Sequence, residues 1–253
     1  MQTGLSHKIE NANLFGEKDR SPPIGNLFSP QESQTEQVSS SRTVWGIGTP
    51  RTLRPQWALI ELGLDYDHNK ILPRGESMDD PGLNALSKRH KVPFYEDDRV
   101  QIGESAAVVT YLADRHGGDV LAMPVPGSER RAILQDRTLF VMTEIDARLY
   151  TVRLHADPPL GLSETYGASP VAVEAAKQYV DRQLHEAVRW LADGRQYVVG
   201  EQFGVIDILL ASCLDWALHY DMELPTPLRD YRDRVALRSG YETAMARNYP
   251  ANA

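Results

Sequence analysis

Three short segments of this chain carry side chains that could bind a charged molecule. Thr49 lies between the first predicted strand and the first predicted helix, where its hydroxyl and the helix N-terminus would both favour negative charge. Glu104 and Ser105 open a later helix, so Ser105 offers a hydroxyl and an outward-pointing N–H, while Glu104 can accept from an ammonium group. Lys91 supplies a cation that could meet a carboxylate.

The elements that must position these residues form a small α/β unit. An apolar run at 44–47 predicts a strand, and Leu53, Trp57, Ile60 and Leu64 follow on one face of a helix. The pattern then predicts a strand over 66–72, a polar loop over 73–83, strands over 92–95 and 100–102, and a helix from Glu104 to Gly117. The order is βαβ followed by ββα.

The second half of the chain predicts helices only. Apolar stripes run over 134–152, 173–191 and 206–220, and the last stripe is apolar on most sides, which is typical of a central helix. The fold class is therefore α/β followed by all-α. The predicted divisions are a disordered extension over 1–42, an α/β domain over 43–119, a linker over 120–127, a helical domain over 128–247 and a tail over 248–253.

Composition excludes several classes of function. The chain has 253 residues and a net charge of −8, which argues against a nucleic-acid or anionic-membrane binder. One cysteine excludes an internal disulfide and a cysteine-cluster metal site, and the histidines lack metal-ligand spacing, so we expect no metal. Without a membrane span or signal peptide, the expected location is cytoplasmic.

Four motifs in fixed order carry a family resemblance. They are Gly48 to Arg54 leading into Trp57 to Tyr66, then Lys91-Val92-Pro93, then Gly103 to Ala113, and finally Tyr197 to Ile208. No single motif is decisive, but together they make residues 44 to 247 resemble a soluble glutathione S-transferase. The resemblance implies a thioredoxin-like N-terminal domain, a helical C-terminal domain, a homodimer, and glutathione as co-substrate.

The resemblance also implies a residue that stabilises the glutathione thiolate. In many classes this is a serine or threonine five residues before an arginine, and Thr49 precedes Arg54 by that spacing. Thr52 and Arg51 are alternatives, because other classes use a position nearer the helix. A tyrosine-type donor is absent, since tryptophan stands at position 45 of the strand, and the lone Cys213 is expected to be a small buried hydrophobe.

Further positions follow from the same resemblance. Val92-Pro93 matches a motif whose proline is cis and whose backbone pairs with the cysteinyl part of glutathione, and Glu104-Ser105 matches the pair that binds the γ-glutamyl end. Lys91 matches a lysine that contacts glutathione in some classes, although His90 or Lys88 could meet the glycine carboxylate instead. For the electrophile we expect Arg148 and Tyr150, and for Asp207 a structural role, with Gly204 replacing the usual hydroxyl of a capping box.

The resulting prediction is a glutathione transferase that adds the thiolate to a small hydrophobic electrophile. One alternative is a non-catalytic binding protein of the same fold, which the extension at 1–42 would suit. Another is a glutathione-dependent isomerase or dehalogenase, although a zeta-type isomerase would show Ser-Ser-Cys where this chain has Thr49-Pro50-Arg51.

Overall fold

The computed structural model describes residues 42–251, which begin with a four-stranded mixed sheet. The sheet order is β2-β1-β3-β4, with β1 parallel to β2 and antiparallel to β3, and β3 antiparallel to β4. The predicted βαβ and ββα order is confirmed, although β2 is shorter than the predicted span 66–72. The strands are β1 (Thr43–Trp45), β2 (Asp67–Asn69), β3 (Phe94–Glu96) and β4 (Gln101–Ile102).

The first helix, α1 (Pro50–Glu61), begins with a reciprocal cap. The Thr49 hydroxyl accepts from Thr52 N, and the Thr52 hydroxyl accepts from Thr49 N, both at 3.0 Å. Proline at the first helical position loses no hydrogen bond, because that N–H has no partner within a helix. Leu53 and Trp57 then bury the apolar face of α1 against the sheet and the helical half.

The predicted polar loop over 73–83 is wrong in part. The segment instead contains a 3-10 turn (Glu76–Asp79) and the start of α2 (Pro81–Leu86). The Asp80 carboxylate caps α2 by accepting from Leu83 N at 3.0 Å, and Leu83 is buried. A helix this short has too few apolar residues to show a period, so the pattern was missed.

The helices of the second half follow α3 (Ser105–His116). Residues 129–155 form one continuous helical rod in which a π-helical turn (Val141–Asp146) separates two α-helical parts. Each of the three predicted stripes lies on a helix. A short helix over 163–166 and two helices near the C-terminus were not individually predicted. The helices are α4 (Glu129–Phe140), α5 (Ala147–His155), α6 (Ser163–Tyr166), α7 (Pro170–Arg189), α8 (Val205–His219), α9 (Thr226–Ala236) and α10 (Ser239–Asn248).

The centre of the helical half is α8, as the sequence predicts. It packs against α1 and α3, so the two halves share one core. At its start the Asp207 carboxylate accepts from Gly204 N at 2.9 Å, from Val198 N at 2.9 Å and from the Tyr231 hydroxyl at 2.7 Å. Since glycine has no side chain, only the Asp207 half of a capping box is present.

The predicted extension lies outside the described residues, apart from Arg42, so the expectation of disorder there is untested by the structure. Between residues 42 and 251, no helix is long and apolar enough to cross a bilayer.

Candidate active site

A cleft of about 590 Å³ opens between the sheet, the start of α3 and the π-helical turn. It gathers all five residues that the sequence predicts to bind glutathione, together with Arg51. Thr49 and Thr52 are not among its lining residues. Arg51 does line the cleft, and Thr49 lies two positions before it in the sequence. The five predicted residues in the cleft wall are Lys91, Val92, Pro93, Glu104 and Ser105.

The loop between β1 and α1 packs closely against the Val92–Pro93 wall of the cleft. This peptide bond is cis, as the resemblance implies. Gly46 has a φ of +113°, and a Cβ at that position would lie 2.6 Å from Val92 Cβ and 2.8 Å from Thr52 Cγ2. Only glycine allows this approach, so Gly46 lets the loop between β1 and α1 contact the Val92–Pro93 edge of the sheet.

At the first turn of α3, Glu104 and Ser105 face the cleft. Glu104 stands at the N-cap but its carboxylate does not cap the helix; it accepts from Arg89 Nη2 at 2.6 Å, and both side chains are exposed. Ser105 is buried, and its Oγ accepts from Arg54 Nη1 at 3.1 Å. Because a guanidinium only donates, the hydroxyl proton of Ser105 remains for a ligand acceptor.

Behind Ser105 lies a buried cation that the sequence did not identify as buried. Arg54 has no exposed surface, and its Nε donates to Ser212 Oγ at 2.7 Å. Its Nη2 donates to Asp146 Oδ2 at 2.8 Å and contacts Cys213 Sγ at 3.1 Å. Arg54 therefore ties Ser105 in the α/β half to α8 and to the π-helical turn.

Asp146 joins two arginines at the floor of the cleft. Arg51 Nη2 lies 2.5 Å from Asp146 Oδ1, so one carboxylate receives both Arg51 and Arg54. Burial by itself would raise the pKa of Asp146, but the charges of Arg54 and Arg51 hold it below its ordinary value. The carboxylate is consequently ionised at neutral pH, and the cluster carries one net positive charge next to the cleft.

The two candidate threonines differ in exposure. Thr49 is partly exposed, whereas Thr52 is fully buried. The Thr52 hydroxyl lies 2.8 Å from Asn248 Oδ1 and 3.0 Å from Thr49 Oγ1. Thr52 thus has no surface to offer a ligand, and its hydroxyl supports Thr49 from within the protein.

Comparison with known proteins is consistent with this geometry. Residues 48–119 match the family model for the glutathione S-transferase N-terminal domain, and residues 142–240 match the model for the C-terminal domain. This chain belongs to the glutathione S-transferase family. The sheet-and-helix α/β half and the helical half both follow that family's fold.

Individual relatives of this family member are distant in sequence. A Drosophila melanogaster glutathione S-transferase is 22% identical over 206 residues, which is 79% of this chain and 89% of the relative. A sphingomonad glutathione S-transferase, solved with glutathione, is 25% identical, with a TM-score of 0.68 over 83% of this chain and 100% of that one. A Phanerochaete chrysosporium glutathione transferase, solved with oxidized glutathione, shares the fold at 16% identity, with a TM-score of 0.71 over 83% of this chain and 96% of that one.

The two residues expected to receive the electrophile lie on different sides of the rod. The Arg51 guanidinium stacks over the Tyr150 ring, 4.3 Å from its centroid, and the Tyr150 hydroxyl accepts from Arg74 Nη2 at 2.8 Å. Arg148 instead stacks on Tyr179 of α7 at 5.0 Å. Two successive helical steps turn the side chain by about 200°, so Arg148 and Tyr150 point to different sides of the rod. Neither is among the lining residues of the cleft, and their role toward an electrophile stays a prediction.

Cys213 is buried as predicted, but it is more than a small apolar residue because its sulfur contacts Arg54. Burial raises the pKa of the thiol to about 12, which leaves it protonated and unreactive. Within residues 42–251, no group of three or more His, Cys, Asp or Glu side chains could hold a metal ion.

Three residues of this site escaped the sequence analysis: Asp146, Arg89 and Asn248. Asp146 follows Ile145 on an otherwise apolar stripe, and an acidic residue there is a weak signal for a buried partner. Arg89 sits just before the predicted Lys91 and reads as one more surface cation. Asn248 fell in the predicted tail, whereas it is the last residue of α10 and is fully buried.

Proposed function

We propose that this chain is a glutathione transferase that binds reduced glutathione in the cleft and stabilises its thiolate with Thr49 for attack on a small hydrophobic electrophile. The observation that carries the proposal is one cleft joining the cis Val92–Pro93 bond to Glu104 and Ser105 at the start of α3. The sphingomonad relative solved with glutathione supports the choice of ligand.

Each end of glutathione has a complementary group in this wall. Glu104 would accept from the γ-glutamyl ammonium, and the Ser105 hydroxyl proton would be donated to its α-carboxylate. The Val92 main chain has no hydrogen-bond partner within residues 42–251 and would pair with the cysteinyl backbone. Lys91 would meet the glycine carboxylate, in preference to Lys88, whose Nζ contacts Asn84 O at 3.3 Å.

The chemical task of the site is to keep the thiol ionised. A free thiol has a pKa near ~8.5, so little thiolate exists at pH 7. Thr49 Oγ1 accepts from Thr52 N and retains its own proton for donation to sulfur. The thiol proton leaves to solvent, the sulfur forms a bond to the electrophilic carbon, and the leaving group departs with the electron pair of the bond that breaks.

Thr49 is preferred to the two alternatives for physical reasons. Thr52 is fully buried, so its hydroxyl cannot reach sulfur without unfolding the helix start. Arg51 lines the cleft, but its guanidinium is held by Asp146. We assign to Arg51 an electrostatic contribution to anion binding rather than the direct contact with sulfur.

For the second substrate we retain Tyr150. Arg51 lies over its ring and Arg74 donates to its hydroxyl, so Tyr150 offers an aromatic wall at the junction of the two halves. An aromatic face with neighbouring guanidinium groups suits a flat, electron-poor electrophile. In keeping with the family, we also expect a homodimer.

Removal of the Thr49 hydroxyl tests the assignment without knowledge of the electrophile. The ultraviolet absorbance of bound thiolate, followed against pH, gives the pKa of the glutathione thiol on the protein. We expect Thr49→Ala to raise that pKa by about one unit, which is about tenfold less thiolate at a pH below it. Thr49→Ser is the matched control and should keep the wild-type value. An unchanged thiol pKa in Thr49→Ala would contradict the assignment.

An electrophile panel then separates the proposal from its alternatives. Conjugation of an aryl halide supports the transferase. A protein that binds glutathione but turns over no aryl halide, haloalkane or isomerisable substrate would instead favour the non-catalytic protein.

A further inference from the structure

The last residue of α10, Asn248, contacts the loop between β1 and α1 and the first turns of α1, near the other end of the described chain. Asn248 is fully buried, and four of its hydrogen bonds go to the segment 48–56. Its main-chain oxygen accepts from Gly48 N at 2.8 Å, and its Nδ2 donates to Thr49 O at 2.9 Å. Its Oδ1 accepts from the Thr52 hydroxyl at 2.8 Å and from Gln56 Nε2 at 2.9 Å.

These contacts decide where the Thr52 proton goes. The Thr52 hydroxyl has one proton and three nearby acceptors: Asn248 Oδ1 at 2.8 Å, Thr49 O at 2.9 Å and Thr49 Oγ1 at 3.0 Å. Thr49 O already accepts from Asn248 Nδ2 and from Leu53 N, and Thr49 Oγ1 already accepts from Thr52 N. Asn248 Oδ1 is the nearest of the three, so it draws the Thr52 proton inward.

With its proton directed inward, Thr52 Oγ1 presents lone pairs to the helix start. One lone pair receives Thr49 N at 3.0 Å, and the other faces Thr49 Oγ1 at 3.0 Å. Thr49 Oγ1 therefore cannot receive a proton from Thr52 and must act as the donor. In the free protein the Thr49 hydroxyl donates to Thr52 Oγ1, and when glutathione binds it can rotate to donate to the thiolate instead.

We propose that Asn248 is a positioning residue that fixes the rotamer of Thr49 and directs its hydroxyl proton toward glutathione sulfur. The inference rests on the proposed role of Thr49 and extends it to the C-terminal helix. It makes the end of α10 a part of the thiolate-stabilising machinery, although Asn248 touches no ligand itself.

The test compares Asn248→Ala and Asn248→Asp with a control on the same helix. Tyr241→Phe serves as the control, because it removes hydrogen bonds to Asp215 and Arg232 while leaving the Asn248 contacts in place. Glutathione affinity is measured by calorimetry, and the thiol pKa of bound glutathione by ultraviolet absorbance. Folding of each variant is checked by circular dichroism.

We expect Asn248→Ala to change affinity for glutathione by less than about threefold at a pH below the thiol pKa, because the cleft residues are intact. The thiol pKa should rise by about one unit, as in Thr49→Ala. Asn248→Asp should raise the thiol pKa further, because a buried carboxylate would replace the donor to Thr49 O and its negative charge would oppose the thiolate. Tyr241→Phe should leave the thiol pKa at the wild-type value.

The double variant Thr49→Ala/Asn248→Ala separates this inference from the proposed function. If Asn248 acts through Thr49, the double variant has the thiol pKa of Thr49→Ala alone, since the two effects are not additive. A wild-type thiol pKa in Asn248→Ala, with a raised one in Thr49→Ala, overturns the inference and leaves the proposed function intact. A wild-type value in Thr49→Ala overturns the proposed role of Thr49.

If Asn248→Ala does not fold, Thr52→Val carries the test. Valine preserves the shape of threonine but removes the hydroxyl that links Asn248 to Thr49. We expect a raised thiol pKa in this variant with little change in glutathione affinity. A wild-type thiol pKa in Thr52→Val would overturn the inference.

Discussion

Replacing Asp146 with alanine is expected to lower the free energy of unfolding by about 3–5 kcal/mol. Asp146 is the only carboxylate within 4.0 Å of the Arg54 guanidinium among residues 42–251, and Arg54 has no exposed surface. Removing the Asp146 carboxylate leaves the buried Arg54 charge without a counter-ion. Arg54 cannot become neutral by losing a proton, because an arginine stays protonated at any accessible pH. Urea unfolding measures the loss as a lower midpoint at unchanged slope.

Two variants make this prediction specific. Asp114→Ala breaks an ion pair with Arg131 in which the carboxylate is exposed to solvent, and should cost no more than about 1 kcal/mol. The double variant Arg54→Met/Asp146→Leu removes both charges and should recover much of the lost stability. Equal losses for Asp146→Ala and Asp114→Ala would contradict the account of a buried charge cluster.

The same cluster gives a pH dependence with a definite sign. The folded-state pKa of Asp146 lies below its ordinary value, so the unfolded chain binds this proton more tightly. The stabilisation by ionised Asp146 is fully present above about pH 4, near the unfolded pKa, and is lost as the pH falls through the folded pKa. The stability difference between wild type and Asp146→Ala should therefore shrink in acid.

Replacing Asp207 with alanine is the second large effect, with an expected loss of about 2–4 kcal/mol. Three buried donors converge on this carboxylate: Val198 N, Gly204 N and the Tyr231 hydroxyl. All three lose their acceptor in the alanine variant, and buried donors without partners are costly. Because Asp207 lies in the first turn of α8, the central helix also loses its N-terminal anchor.

A graded series measures this effect. Tyr231→Phe removes one donor and should cost about 1 kcal/mol. Asp207→Asn keeps one oxygen acceptor but turns an NH₂ group toward a backbone N–H. Its loss of stability should therefore lie between those of Tyr231→Phe and Asp207→Ala. An Asp207→Ala variant as stable as wild type would refute the structural role of Asp207.

The sequence predicted the order of elements well because that order depends on local patterns. The stripe at Leu53, Trp57 and Ile60 predicted α1, and the apolar run from Ile206 predicted the central helix α8. Local patterns failed where the element was short, as in α2. For Arg148 and Tyr150, the rotation of about 200° between them on the helix means that the two side chains do not share one face.

Contacts between distant residues could not be predicted from one sequence. Asp146 and Arg54 are separated by 92 residues, and Asn248 and Thr49 by 199. Nothing in the local composition around Asn248 marks it as buried, and its partners are backbone groups and hydroxyls that carry no charge pattern. The residues predicted to bind glutathione, by contrast, lie in short motifs that carry the family resemblance. Such motifs can be recognised in the sequence without knowledge of the fold.

Calorimetric titration of reduced glutathione into the purified protein tests the central claim most directly. Glu104→Ala/Ser105→Ala is the informative variant, and Glu186→Ala, an exposed change on α7, is the control. We predict binding by wild type and by the control, with at least about tenfold weaker binding by the double variant, since two charge-assisted contacts are lost. A correctly folded wild-type protein that binds no glutathione would contradict the account.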